Sequence, residues 1–589
     1  MNGQIHTMKR ALSILLTAML LLMSCAVAED GGMGEPADHD IEQKLTQTYL
    51  SEPDVTYSLN LCFVDGVEDM PWLDLENFCD FMNYFENQQY GDAIFRLEYA
   101  ADGEKVWLTR ETEYYMSVDF DSNTIFFDDY DAFLHDSSEK ALVDLVSASG
   151  YDADGRGELF QRIPTGSYDR YGDSVLLELD DYGIQLIHQG EFYLVPAQTL
   201  SDFILTPATG LNLFYNGEEA FCANLNCFGR VDSETRPLTE LGERYYAVEP
   251  SDCSEALAVY GYNELCLLLD KQYGLKQLHD VASFDRLFTQ LGYKDALMST
   301  DPFIADATLY NFISQNLDDI HSVFSGYSCR TGKRAVERSV GISGEALDDN
   351  YSYFQSLRAQ RYPDGPVGYE EVGNTAYITL DSFTDNATST YYAALDDDGI
   401  LPNDTVGMII VAHNRIYRED SPIENVVFDL SCNSGGSLNA AAFLLSWVLG
   451  AAPVSLQDTF TGATSTDIYR VDTNLDREFD SRDQVDDKHI YCLISPCSFS
   501  CGNLVPAAFK ASGRVTLLGR TSGGGSCLVQ PAATVWGAYF QISGMQRMSY
   551  IKNGVYYAID QGIEPDFVID KAENFYDREA LTAYINALF

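Results

Sequence analysis

Cationic side chains are scarce in this sequence. There are 36 Lys and Arg against 90 Asp and Glu, a net charge of −54 over 589 residues. Phosphate binding needs clustered cations, so nucleic acid and anionic membrane surfaces are excluded as partners. Such an acidic balance suits a soluble protein in a salty or extracytoplasmic medium, most carboxylates forming a solvated surface. Long apolar runs are missing too. Beyond Ala11 to Met23 none reaches 18 residues, so no internal segment is expected to cross a bilayer. The 13 Cys include no Cys-x2-Cys spacing, which argues against structural zinc. Neither a P-loop nor a GxGxxG turn is present, which removes the usual nucleotide readings. Disorder is excluded by a hydrophobic content of 46% and an aromatic content of 13%. The length allows roughly three or four domains.

The N-terminus reads as an export signal over residues 1–28. Lys9 and Arg10 are its basic region, Ala11 to Met23 its apolar core, and Ala26-Val27-Ala28 its small-residue cleavage site. Leu22-Met23-Ser24-Cys25 also resembles a lipoprotein box, with a lipid anchor on Cys25 as the alternative. Either route implies a secreted or cell-envelope protein, where disulfides are permitted; Cys222 and Cys227 are close enough to pair. Residues 29–52 read as an acidic tether.

Residues 53–240 alternate with period two, as in Tyr57 to Phe63, and suggest small α+β modules. Pro71 with Phe78, and Pro196 with Phe203, recur in similar frames, a weak repeat of about 125 residues. Residues 241–330 turn helical and end in Leu317-Asp318-Asp319-Ile320-His321-Ser322; they read as a helical cap. A linker is expected over 331–370. Residues 371–589 alternate strand and helix, the pattern of an α/β core. Thr375–Leu380, Gly407–Ala412, Asn425–Leu430 and Ile490–Ile494 are the expected strands.

Two turns in that core could carry chemistry. The first is Ser431-Cys432-Asn433-Ser434-Gly435-Gly436, between a strand and a helix. A Gly pair there makes a tight turn with exposed N–H groups, either an oxyanion hole or only a turn. The second is Cys497-Ser498-Phe499-Ser500-Cys501-Gly502-Asn503, before the helix from Leu504. Ser500 is there either a helix cap or an exposed nucleophile. Strand ends in an α/β sheet converge on one crevice, which would bring the two turns together. A Ser nucleophile needs a base. Among eight His, His321 stands out for the carboxylates beside it.

These residues carry a resemblance. Phe428-Asp429-Leu430-Ser431-Cys432-Asn433-Ser434-Gly435-Gly436 is similar to the Asp-Leu-Arg-x-Asn-x-Gly-Gly signature of the C-terminal-processing (tail-specific) serine peptidases. Ser498 to Asn503 with Leu517 to Gly524 resembles their nucleophile turn and the strand after it. Gly562-Ile563-Glu564-Pro565-Asp566 resembles their closing motif, and Asp319-Ile320-His321-Ser322 their upstream Asp-x-His-Ser/Thr element. The likeness covers about residues 255 to 589.

The resemblance implies a crotonase-like β-β-α spiral peptidase core, no cofactor and no metal, and a peptide or protein substrate. One branch uses a Lys 25 residues after the Ser, but that position is Gly525; Lys510 comes too early and Lys552 too late. The chain therefore resembles the tricorn-like branch, with Ser500 as nucleophile and His321 as base. Ile320 stands where that branch has Ser, and Ser322 follows the His. Asp560 is the expected orienting acid, with Glu564 second and Asp318 or Asp319 as further alternatives. Gly436 or Gly435, with Cys501, would donate to the oxyanion. The rival expectation is a catalytically inactive ligand- or wall-binding protein on the same scaffold.

Overall fold

The apolar strands of the C-terminal half build a six-stranded sheet: β1 (Tyr369–Val372), β2 (Thr375–Thr379), β3 (Asn425–Asp429), β4 (His489–Ile494), β5 (Val515–Gly519) and β6 (Phe567–Val568), side by side in chain order. β1 and β2 pair antiparallel and all later neighbours pair parallel. A parallel strand is covered on both faces, so it is apolar throughout. Five helices supply the cover: α1 (Ile342–Arg361), α2 (Thr405–Ile416), α3 (Leu438–Leu449), α4 (Cys501–Ser512) and α5 (Arg578–Asn586). Val426 and Phe428 pack with Ile409, Phe443 and Leu504 of α2, α3 and α4. Val427, one residue out of phase, packs with Phe354 of α1 and Leu581 of α5.

The computed structural model describes residues 38–90, 96–110, 113–134, 159–163, 169–231, 233–337, 341–386, 389–396 and 401–588. The export segment, Cys25 and the tether up to residue 37 lie outside the described residues. No helix among the described residues is long and apolar enough to cross a membrane. The α/β core expected from the sequence is present, with N-terminal modules attached to it.

A second sheet joins distant parts of the chain. Val323–Gly326, Tyr539–Ser549, Ala452–Asp458, Thr464–Val471 and Phe160–Ile163 lie in that order, and Cys527–Ala533 also pairs with Tyr539–Ser549. The N-terminal region is thus stitched into the C-terminal half through Phe160–Ile163, which pairs with Thr464–Val471. Upstream, a seven-stranded sheet and a five-stranded sheet share one core with the helix Glu255–Gln272. The two recurring frames lie on adjacent antiparallel strands, with Pro196 opposite Trp72, and Phe78 and Phe203 enter the same core.

Four expectations change. Residues 41–50 of the tether form a strand paired along its length with Glu52–Val64. The linker 331–370 contains the 20-residue α1. Gly407–Ala412 is not a strand but the middle of α2, where Asp404 caps the Gly407 N–H at 2.8 Å. A short apolar run does not by itself distinguish a buried strand from a buried helix. Cys222 and Cys227 do not pair; all twelve described cysteines are free thiols.

One buried contact ties the N-terminal module to the helical region. Asp202 and Glu264, 1% and 2% exposed, are buried near each other, and the charge of Glu264 acts on Asp202. Gln198 donates to Asp202 and the Thr199 hydroxyl to Glu264, each at 2.7 Å. Burial pushes Asp202 well up and Glu264 from 4.5 to about 7, so the pair holds a proton. A folded-state pKa raised above its unfolded value stabilises fully below the unfolded pKa and is lost as pH rises through the folded one. The contribution of this pair should therefore fade between pH 4.5 and about 7. Glu264→Gln should flatten that part of the melting temperature against pH curve by a few degrees; an unchanged slope would refute the raised pKa.

Candidate active site

Parallel pairing aligns the strand ends. Thr379 lies beside Asp429, Asp429 beside Leu493, and Ile494 beside Gly519. The turns that follow therefore meet at one edge. The Phe499 N–H donates to the Asn433 carbonyl at 3.0 Å, and the Ser500 N–H to the Gly524 carbonyl at 2.9 Å. Gly435 touches Ser500 so closely that a Cβ on it would lie 2.7 Å from the Ser500 Cβ. A Cβ on Gly436 would lie 2.2 Å from the Phe383 carbonyl oxygen, and its φ of +128° also demands glycine.

Ser500 precedes α4 with φ 56° and ψ −124°, and its side chain makes no cap hydrogen bond. A helix cap has extended backbone and an oxygen turned to the first N–H groups; Ser500 has neither. It occupies a left-handed conformation that costs a non-glycine residue about 1–3 kcal/mol, and its hydroxyl is left free. Among the described residues the N–H groups of Gly436 and Cys501 also have no acceptor. Gly435 differs: its N–H donates to the Asn433 side-chain oxygen at 2.8 Å, so it is not free for an oxyanion. The sequence could not separate the two glycines, because the choice depends on where the Asn433 amide points. Burial pushes the Cys501 thiol up to about 12, which keeps it protonated and poorly nucleophilic despite its place at a helix start.

His321 reaches the same edge from far upstream. Its ring lies against Phe499, with centroids 4.7 Å apart, and Gln541 holds its carbonyl at 2.7 Å. It is 9% exposed. Burial lowers its pKa, while the charges of Asp319 and Asp560 oppose that shift. The imidazole is thus neutral and able to accept a proton near pH 7. Gly525, at the position of the Lys in the other branch, packs on the opposite partner of this contact: a Cβ there would lie 2.6 Å from the Phe499 ring. No side chain can stand at that point without displacing Phe499.

The four candidate acids separate. Glu564 is exposed. Asp318 accepts the Ser343 N–H at 3.0 Å, near the start of α1. Asp319 accepts the His321 N–H at 3.1 Å and the Ser322 hydroxyl at 2.6 Å. Asp560 accepts from the Ser526 N–H at 3.1 Å and the Ser526 hydroxyl at 2.7 Å, and pairs with Arg547. Sequence reasoning missed Ser526 and Arg547. The one available signal was a charged residue within the apolar strand Tyr539–Ser549. A cavity of about 310 Å³ with a mixed lining opens beside the His321 turn, walled by Asp318, Asp319, Ile320, Ser322, Val323 and Phe324; neither Ser500 nor His321 lines it.

The family model described as peptidase family S41 matches residues 374–569. The chain carries an S41 peptidase domain. It belongs among the serine peptidases, a class of hydrolases. Several solved structures are similar. A candidate peptidase from Parabacteroides merdae ATCC 43184 is 16% identical over 57% of this chain and 98% of its own, at a TM-score of 0.40. A lipoprotein from Streptococcus agalactiae is 14% identical over 56% of this chain and 96% of its own, at 0.34. Mature CPAF complexed with lactacystin is 11% identical over 57% and 97%, at 0.35. No curated protein sequence matches the chain. In the S41 domain the Arg of the Asp-Leu-Arg signature is replaced by Ser431, and Asp429 receives its guanidinium from Arg578 of α5, at 2.7 Å.

Proposed function

We propose that this S41 protein is an exported serine endopeptidase that cleaves peptide bonds with Ser500 as nucleophile and His321 as base. The observation that carries the reading is Ser500 itself: a left-handed residue at a strand-to-helix turn, with its hydroxyl uncapped beside free N–H groups. Ser500 Oγ attacks the scissile carbonyl carbon as His321 takes its proton. The carbonyl oxygen becomes the oxyanion, and the N–H groups of Gly436 and Cys501 receive it. His321 then protonates the leaving amine, and water repeats the cycle on the acyl-enzyme. Asp560 orients the imidazole and stabilises its charged form. Export is read from residues 1–28, by cleavage after Ala28 or, as the alternative, with a lipid anchor on Cys25.

The test is a covalent label. A fluorophosphonate probe should modify the folded protein at one site, Ser500, and mass spectrometry of the labelled peptide should show it. Absence of labelling on Ser500, in protein whose melt is cooperative, would instead support the ligand-binding alternative on the same scaffold.

A further inference from the structure

We infer that Arg547 is a positioning residue for this reaction, holding Asp560 in place for His321. The inference rests on the reading of Ser500 and His321 given above. Arg547 lies on Tyr539–Ser549, opposite Cys527 on one side and Gln457 on the other. Its side chain turns inward and is 10% exposed, against 9% for Asp560. Its Nη2 pairs with Asp560 Oδ2, and its Nε donates to the Ser526 hydroxyl at 3.3 Å. Ser526 in turn donates through both its N–H and its hydroxyl to Asp560 Oδ1. Both carboxylate oxygens are therefore held from the side of the second sheet.

The electrostatics give this clamp a consequence beyond packing. The groups that act on His321 are Asp319 of its own turn and Asp560 of the closing loop. Tyr273, after the helix Glu255–Gln272, and Cys527 lie within reach of the same two carboxylates, and burial raises both pKa values, so both stay neutral. The charges in this buried cluster are thus two carboxylates and one guanidinium. Removing Arg547 would leave Asp560, one of the two carboxylates that act on the imidazole, without its cation. The imidazolium would gain stability, and His321 would be protonated over a wider pH range. A loosened Asp560 would also orient the ring less well, which lowers kcat rather than raising KM.

The experiment measures kcat/KM for a fluorogenic peptide from pH 5 to 9 on the full chain, with thermal melts in parallel. Arg547→Gln should move the acidic limb upward by about one pH unit, the scale of a single buried charge at an effective dielectric of about 20. It should also reduce kcat by about tenfold or more. Arg547→Lys should return most of the limb. In an Asp560→Asn background, Arg547→Gln should move the limb far less, because the partner is gone. A limb that stays at the wild-type position in Arg547→Gln, or an equal shift with and without Asp560, would overturn the inference. Should Arg547→Gln fail to fold, Arg547→Lys carries the test: Lys keeps the charge but cannot hold both Asp560 and Ser526, so a limb near the wild-type position with kcat lowered several-fold supports the clamp, and kcat and limb both at the wild-type values remove it. A wild-type protein without hydrolysis, or a Ser500→Ala variant that keeps it, would instead sink the underlying reading and the inference with it.

Discussion

Ser500→Ala should lower kcat/KM on unfolded casein or a peptide library by about a thousandfold or more, and His321→Ala by a similar factor. The double variant should lose little beyond either single one, because nucleophile and base act as a unit. Stability should respond differently. The Ser500 side chain makes no cap hydrogen bond, so Ala should leave the melt almost unchanged. Ser500→Gly should raise stability by about 1 kcal/mol, since glycine adopts a φ of 56° without strain. An inactive but more stable Gly variant would be the signature of backbone strain kept at a working residue. Undiminished hydrolysis in Ser500→Ala would end the assignment.

Arg578→Ala should destabilise the fold by about 3–5 kcal/mol, the largest stability effect expected in the core. Arg578 is buried, and its Nη2 meets Asp429 Oδ2 at 2.7 Å. The same side chain donates to the Phe575 carbonyl and to Glu370, and stacks over Tyr377 at 4.6 Å. Removing it leaves Asp429, whose side chain is fully buried, without its cation. Asp429 also accepts the Ser431 N–H and hydroxyl, at 3.0 and 2.6 Å, and so holds the turn that leads to the Gly pair. Urea unfolding measures the loss. Replacing both partners with apolar residues of similar volume should restore most of it, because the cost lies in the orphaned charge. A loss below about 1 kcal/mol in Arg578→Ala would show that Asp429 finds water instead.

Much of the core was legible because its signals are local. A buried parallel strand is apolar without alternation, which marks Asn425–Asp429 and His489–Ile494. The Gly pair is demanded by φ values of +106° and +128°, and a sequence shows that as glycine. The empty Lys position was also legible, although its cause was not: Gly525 is required by the Phe499 ring that lies against it. What local signals could not resolve were the elements stabilised from outside. Gly407–Ala412 became helical through the Asp404 cap and its neighbours. Residues 41–50 became a strand because Glu52–Val64 pairs with them. Phe160–Ile163 joined the second sheet through a partner some three hundred residues away.

The residue types of the candidate site and the order of its turns along the chain are read from the sequence alone. Strand-to-helix turns after apolar strands place Ser500 and Gly436 at the same edge whatever surrounds them. Tertiary structure decided the rest. It gave the Gly435 N–H to Asn433, the Asp318 carboxylate to Ser343, that of Asp319 to the His321 N–H and Ser322, and that of Asp560 to Ser526 and Arg547. It also showed Ser500 to be no helix cap. The reason is physical. Residue identity sets which hydrogen bonds and charges a side chain can offer, but burial and partners set which of them remain unspent. Chemistry depends on those that remain.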